Sequence, residues 1–458
     1  MQRQVPLAMT AANGNIAGQE SLINCFAQKT QGGKYAFTIK STEGLVSHTV
    51  LPASTGVKAL HQVGDRGFAI TSDGFYEILD TGSYVIRGAP VLTGTRVVAD
   101  DNGAVIVMVD GLRGYSYDLV TNILTEITDP AFYPASTVTY QDGYFIFDRR
   151  GTRQFFITGV LDVTFDPLEI ASANGSPDNL VAVLSDHREL ILFCETTIEF
   201  WYNSGSLDFP FQRSEGSFIE RGCGAKYSPA KMDNMVFFVG NDKNVYVLQG
   251  YQDTMISTKP VSDDLQNVNL NDTFGFTYTD GENKFYQLTI PARQKTWVYN
   301  LGTGAWFQRA SNVFNRHVAN CSINFNNKIL AGDFQAGVVY EMTYATNTDD
   351  GEPLLKRFVL PVISIGRERK SIWSFELDMG AGVGLANGLS SDPRASLRVS
   401  KDNAKTWSSS MSAKIGKIGA YSTRVKWNKL GLGRQFTLEV TITADIDLDI
   451  GGAYVEVS

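Results

Sequence analysis

The sequence predicts an all-β chain: a β-propeller of six or seven blades followed by a C-terminal β-sandwich domain. Three observations predict it. Aromatic residues make up 11% of the chain and 43 of its 458 residues are glycine, a mix suited to short strands joined by tight turns. Strands that carry an aromatic ahead of a turn recur about every 40–50 residues, the length of one four-stranded blade. After Pro353 this period stops, and roughly seven alternating strands follow in about 100 residues, the size of one sandwich.

Residues 1–33 read as an N-terminal arm. Its run MQRQVPLAMTAANGNIAG is broken by Pro6 and is too short for a secretory signal. Residues 34–352 read as the propeller. The repeating marker falls at Tyr76, Tyr117, Phe156, Tyr202, Tyr246, Tyr299 and Tyr340. Inside one unit, Phe274 to Arg309, the runs FGFTYT, KFYQLTI, KTWVYNL and AWFQR are separated by the turn sequences DGEN, PARQ and GTG. The stretch from Val57 to Arg87 reads the same way. One blade cannot bury both of its faces, whereas a ring of blades buries them all. The last unit shows only three strands, HVANCSINF, KILAGDF and GVVYEMT. A strand at 45–51, LVSHTVL, would supply the fourth and close the ring. The count is seven, with six left open because the marker is degenerate; a pair of regularly spaced sandwiches is the competing architecture. Residues 353–458 read as the sandwich, where strict alternation in SLRVS and FTLEVTIT gives each strand one buried and one wet face.

Lys and Arg total 40 against 48 Asp and Glu, a net charge of −8, which argues against broad nucleic-acid binding. No segment approaches the roughly 20 apolar residues of a membrane span, and the chain reads as one that folds in a cytoplasm. Cys25, Cys194, Cys223 and Cys321 form no C-x-x-C and read as buried free thiols. His48, His61, His187 and His317 are too far apart in sequence for a metal pair. No H-E-x-x-H, G-x-S-x-G or phosphate-binding loop is present. No catalytic residue, cofactor or metal ligand is assigned, and the chain reads as a non-enzyme.

The stretch VSKDNAKTW nearly spells the S-x-D-x-G-x-T-W hairpin of sialidase propellers. Ser400, Asp402, Thr406 and Trp407 flank a turn, where Asp402 can accept bonds from turn N–H groups and Trp407 can pack beneath. Ala404 replaces the glycine. A sialidase-like hydrolase needs a Tyr nucleophile with an acid partner, and such hairpins recur blade by blade. A single imperfect copy outside the propeller reads as a structural staple. Asp349, Asp350 and Glu352 lack the spaced ligand series of a calcium loop and read as a solvated linker; Asp263 and Asp264 read as a loop. Asp445, Asp447 and Asp449 would share one face of a strand and repel, with water, a cation or a basic neighbour such as Arg434 as the compensation. Lys356, Arg357, Arg367, Arg369 and Lys370 cluster at the propeller–sandwich junction as candidate subunit contacts, or as charged protection of a strand edge. The glycine-rich loop 380–391 is the candidate mobile element.

Two stretches carry a family resemblance: Asp178 to Tyr202, DNLVAVLSDHRELILFCETTIEFWY, and Gly216 to Leu248, GSFIERGCGAKYSPAKMDNMVFFVGNDKNVYVL. Together they resemble the packaged-DNA-stabilisation proteins, tail hub or nozzle proteins of P22-like short-tailed bacteriophages. In that family a strand pair ending in T-I-E-F/Y precedes an I/V-x-x-G-C/I-x-G/A turn. LINCFAQ followed by STEGL is similar to the family's opening N-x-F/L/Y-x-E/Q…PGL theme, with Glu43 in place of Pro. YSTRVKWNKLGLGRQFTLEVTIT resembles the ending of phage tail proteins. The resemblance implies a virion protein made in the host cytoplasm. It implies a homo-hexameric ring below the portal and adaptor, extending the DNA channel, retaining packaged DNA until ejection, and meeting a needle or plug and fibres or tailspikes. Double-stranded DNA would pass along the ring axis, where an acidic wall would not grip it. Two other classes compete. A propeller glycan-binding or glycan-hydrolysing tail protein would cluster carboxylates and arginines on propeller loops; a non-viral binding module would be a monomer with a ligand in its central funnel.

Overall fold

The computed structural model describes residues 2–14, 18–30, 32–311, 315–364 and 368–457. Among these, seven four-stranded antiparallel units succeed one another around a ring. Blade 1 comprises Ala59–Val63, Arg66–Ile70, Phe75–Ile78 and Tyr84–Gly88. Blade 2 opens with Val98–Asp101, blade 3 with Val138–Gln141, blade 4 with Leu180–Asp186, blade 5 with Ala230–Met232 and blade 6 with Phe274–Asp280. Blade 7 takes three strands in sequence, Ala319–Phe325, Lys328–Asp333 and Val338–Thr343. Its fourth is Gly44–Val50, antiparallel to Val338–Thr343 from Val338↔Val50 to Thr343↔Gly44, so the ring is closed by residues from the start of the chain. All seven aromatic markers fall on the third strands of successive blades.

The blades hold together because each presents two apolar faces and none can bury both alone. Aromatic rings mesh across the gaps. Tyr117 of blade 2 meets Phe75 of blade 1 at 4.8 Å, Trp201 of blade 4 meets Phe155 of blade 3 at 5.1 Å, and Tyr286 of blade 6 stacks on Phe237 of blade 5 at 5.0 Å. Each such pair contributes about 0.5–1.5 kcal/mol beyond the area it buries. Buried aspartates tie the turns. Asp148, at the end of a second strand, accepts the N–H groups of Ser136 and Thr137, which lead into its own blade. Asp110 does the same for Thr93 and Gly94.

The sandwich differs from the expected boundaries. One of its sheets runs Cys25–Lys29, Phe37–Ser41, Asp449–Val457, Lys370–Met379 and Val425–Gly433, with Gln2–Val5 added beside Asp449–Val457. Of the N-terminal arm, the described strands Gln2–Val5, Gly18–Ile23 and Cys25–Lys29 thus pair into these sheets, and Phe37–Ser41 pairs with the sandwich rather than with a blade. The C-terminal strands leave apolar area that the N-terminal ones cover: Val5, Cys25, Phe26 and Ile39 are buried in the same core as Phe375, Trp427 and Val455. The second sheet is continuous with blade 6. From Ala305–Arg309 it passes through Gly18–Ile23 and Lys356–Val359 to Gln435–Ile442, Arg394–Ser400 and Met411–Lys414. Propeller and sandwich thus share one sheet and one apolar core, which also takes in Phe285 and Phe307 of blade 6 and Met342 of blade 7.

Other readings are corrected locally. Asp263 and Asp264 lie on a short α-helix, Lys259–Leu265, begun by Pro260, whose fixed φ suits a first helical turn. Asp264 accepts bonds from Lys295 Nζ at 2.8 Å and Trp297 Nε1 at 3.0 Å, which explains why it faces inward. The Asp349 region is not a solvated linker. Thr348–Asp349 and Glu352–Pro353 form a small hairpin, with Asp349 bridged to Leu45 of the closing strand. Asp445–Leu448 lies outside any strand; Ile446 and Leu448 point into the core and hold the run in place.

Candidate functional site

The junction between propeller and sandwich gathers most of the residues that the sequence singles out. Asn24 occupies the left-handed region at φ 53° and joins three elements there. Its side chain donates to the carbonyls of Ala310 and Leu355 and accepts the Ala310 N–H. Glu43, Gly44 and Leu45 follow. Glu43 and Arg309 form an ion pair at 3.1 Å with 1% and 0% exposure, and Arg309 Nη2 also donates to the Glu43 carbonyl at 2.8 Å. Burial pushes the Glu43 carboxyl up to about 7, against the pull of Arg309. Next to it, burial holds His317 well below its ordinary value, reinforced by the charges of Arg309 and Arg316. Sequence reasoning missed this pair. Its one signal was the Glu standing where the family theme carries Pro.

The other family motifs are structural too. Glu199 of T-I-E-F is fully buried and accepts Trp201 Nε1 at 2.9 Å and the Gly175 N–H. Gly222, in the turn that follows, lies so close to the Glu195 carbonyl that an added Cβ would sit 2.1 Å from its oxygen. All four cysteines are buried free thiols. Burial raises the Cys25 thiol to about 12 and those of Cys223 and Cys321 to about 11, so none is poised as a nucleophile.

The four described candidate subunit-contact cations do not form one patch. Lys356 is fully buried, which corrects its reading as a contact. Its ammonium donates to the carbonyls of Ala444 at 3.3 Å and Ile446 at 2.5 Å, and burial pulls it down to about 8 while Asp445 and Asp447 nearby pull it back up. It is therefore part of the compensation for the acidic run. Asp445 also accepts the Asn347 N–H, Asp447 accepts Ser41 Oγ–H, and Asp449 pairs with Lys40 at 3.2 Å. Water and Arg434 are not needed for this. Arg357 faces the junction cleft. Arg369 is exposed and lies just before Lys370, which is half-buried at the start of a strand of the opposite sheet. Arg367 lies outside the described residues.

The Asp-box-like hairpin borders the same cleft. Asp402 accepts the N–H groups of Lys405 and Thr406 and the hydroxyls of Ser400 and Thr406, and these bonds hold its carboxyl down at about 2. Asn403 and Ala404 take left-handed φ values of 59° and 63°, so Ala404 adopts the geometry a glycine would favour. Trp407 is half-buried beneath the Arg398 guanidinium, 5.3 Å from its ring centre. The cleft measures about 440 Å³ and is lined by Trp407, Arg398, Glu439, Arg357, Lys295 and Asp264 among others. Two of its carboxylates are engaged: Glu439 takes Arg398 at 2.5 Å and Asp264 takes Lys295, while Glu20 also lines the cleft. The loop 380–391 is tied to the sandwich, its Gly380 N–H donating to Asp449 and its Ser390 hydroxyl accepting the Asp445 N–H. Among the described residues, no group of three or more His, Cys, Asp or Glu could hold a metal ion, and no helix is long and apolar enough to cross a membrane.

Two family models match the chain. "Bacteriophage P22 Gp10, beta-propeller" matches residues 20–347 and "Bacteriophage P22 Gp10, beta-sandwich" matches residues 357–458. No curated protein matches. Among solved structures, the computationally designed Ika8 protein covers 66% of this chain and 99% of its own, at 11% identity and a TM-score of 0.40. A chain of a mitotic checkpoint complex covers 69% and 94%, at 10% identity and a TM-score of 0.41. Neither overlay carries weight beside the two matches that together span nearly the whole chain. The chain belongs to the bacteriophage P22 Gp10 family, structural phage tail proteins in which a β-propeller is followed by a β-sandwich.

Proposed function

We propose that this chain is a tail nozzle or hub subunit. Six copies form a ring below the portal and adaptor, extend the DNA channel, and retain the packaged genome until ejection. The ring receives a needle or plug and carries fibres or tailspikes; the subunit is made in the host cytoplasm and acts in the virion without enzymatic activity. The observation that carries this reading is the family match over both domains. Two features support it. The sheet that runs unbroken from blade 6 into the sandwich suits a subunit that bears load between neighbours above and below. The net charge of −8 suits a wall that lets DNA slide. Exposed Arg369, with Arg357 and Lys370, remains available for subunit contacts. The glycan reading has one feature in its favour, the Trp407 platform, but two of the cleft's carboxylates, Glu439 and Asp264, are held in ion pairs.

The test is to add the purified protein to DNA-filled heads that carry portal and adaptor but lack this subunit. Retained genomes and a new sixfold ring on the tail stub are expected. Leaking heads with no bound ring would overturn the proposal.

A further inference from the structure

The first strands of six blades, with the segment that leads into the first strand of blade 5, line an axial funnel of about 250 Å³. Its wall is small or apolar, with Ala59, Val98, Val138, Ala182, Gly275 and Cys321 drawn from six different blades. At one mouth the chemistry changes. The segments leading into the first strands of blades 2, 5 and 7 carry Arg96, Lys226 and Arg316, and the turn after the second strand of blade 3 carries Arg150. In an up-and-down blade these segments lie at the same end, so four cations from four blades stand at one end of the propeller, with Arg96 and Lys226 lining the funnel itself.

Two of them are unusual. Arg316 is 4% exposed and stacks 3.7 Å from the centre of Phe334. Its Nε and Nη2 make no hydrogen bond among the described residues. Arg96 lies 3.8 Å from the centre of Phe274, the ring that Arg316 approaches from 5.9 Å. Arg96 donates to the side-chain and backbone oxygens of Asn320, neither of them charged. Burial lowers both guanidiniums to about 10, and for Arg316 the Arg96 charge adds to the effect. Among the described residues, the Arg150 guanidinium donates to the Gly111 carbonyl. The carboxylates in range offset the group only in part: Asp333 favours the charged form of Arg316 and Asp272 that of Arg96, but among the described residues none of the four cations meets a carboxylate in an ion pair. Asp148 holds the Ser136 and Thr137 N–H groups, Asp333 holds those of Gln335 and Ala336, and Asp272 stands exposed. A desolvated guanidinium that no carboxylate meets in an ion pair is costly, and its planar fork matches a carboxylate or a phosphate.

We propose that this mouth of the propeller binds one oxyanion, a carboxylate or a phosphate group, held chiefly by Arg316 and Arg96 with Lys226 and Arg150 completing a basic rim. The site is independent of the ring-forming role and would stand if that role fell. The experiment is calorimetric titration of the full chain at low ionic strength, in one arm with inorganic phosphate and in the other with glutarate, each against chloride at matched ionic strength. Saturable binding of one anion per chain is expected in at least one arm. Phosphate alone would identify a phosphoryl ligand, glutarate alone an acidic side chain, and both a general oxyanion site. Arg316→Gln should weaken binding by about tenfold or more, and Arg316→Lys by less, since it keeps the charge and loses the fork. Arg369→Gln, on an exposed side chain of the sandwich, should leave it unchanged. If Arg316→Gln disturbs the near-ultraviolet spectrum, Lys226→Gln serves instead, with a several-fold loss expected. Absence of saturable binding in both arms, or equal affinity in the folded variants, would overturn the proposal.

Discussion

Arg309 and Glu43 stand 266 positions apart and meet where no water reaches them. Removing one partner strands the other charge, so Arg309→Met should destabilise the fold by about 3–5 kcal/mol. The double variant with Glu43→Leu should recover most of that loss. Urea denaturation of the single and double variants checks this; equal destabilisation by both would show that packing, not the pair, is at stake. Lys356 makes a pH prediction. Burial holds its folded-state value at about 8, whereas an unfolded lysine keeps its proton to about 10.4. Between those values the unfolded chain binds the extra proton, so this group makes stability rise as pH rises from about 8 to 10.4. Below that window its unfavourable contribution is present in full. Lys356→Met should remove the rise, seen as a shrinking difference between variant and wild type in denaturation midpoints across the window. An unchanged difference would mean that Lys356 does not titrate there.

Blade 7 is the element on which ring closure depends. Its outer strand begins at Gly44, where an added Cβ would sit 2.5 Å from the Thr346 carbonyl oxygen and 2.6 Å from that of Thr348. Both are backbone atoms and cannot swing aside. Gly44→Ala should therefore cost about 1–3 kcal/mol. Hydrogen exchange should quicken first along Val338–Thr343, the strand that Gly44–Val50 covers. Uniform quickening around all seven blades would instead mean that the ring opens only as a whole. The seven-blade period was legible because every marker aromatic sits on a third strand, and most pack between blades. Tyr202 is 42% exposed and marks its strand all the same.

Across the whole molecule, the two domains are not independent. The sandwich takes Gln2–Val5, Cys25–Lys29 and Phe37–Ser41 from the far end of the chain, and its second sheet continues into blade 6. A fragment of residues 353–458 lacks three strands of one sheet and the cover over Phe375 and Val455. Such a fragment should show strand-like far-ultraviolet signal, weak near-ultraviolet signal and binding of an apolar dye. Supplying residues 1–43 in the same cell should restore a soluble complex. A fragment that folds alone with a sharp thermal transition would show that the N-terminal strands are dispensable.

Residues near in sequence declared themselves. Strand length, turn chemistry and the S-x-D-x-A-x-T-W hairpin depend on neighbours within a few positions, and the blade period repeats that local pattern, so composition and alternation carry them. The partnership of Asn24 with Ala310 and Leu355, the burial of Glu43 against Arg309, and the capture of Lys356 by the carbonyls of Ala444 and Ile446 could not be read in this way. Each joins segments 88 to 331 residues apart, and a charged side chain carries no mark of whether its partner will be water or a buried counterpart. Only the closed ring, by bringing both ends of the chain to one junction, decided which charges lost their water.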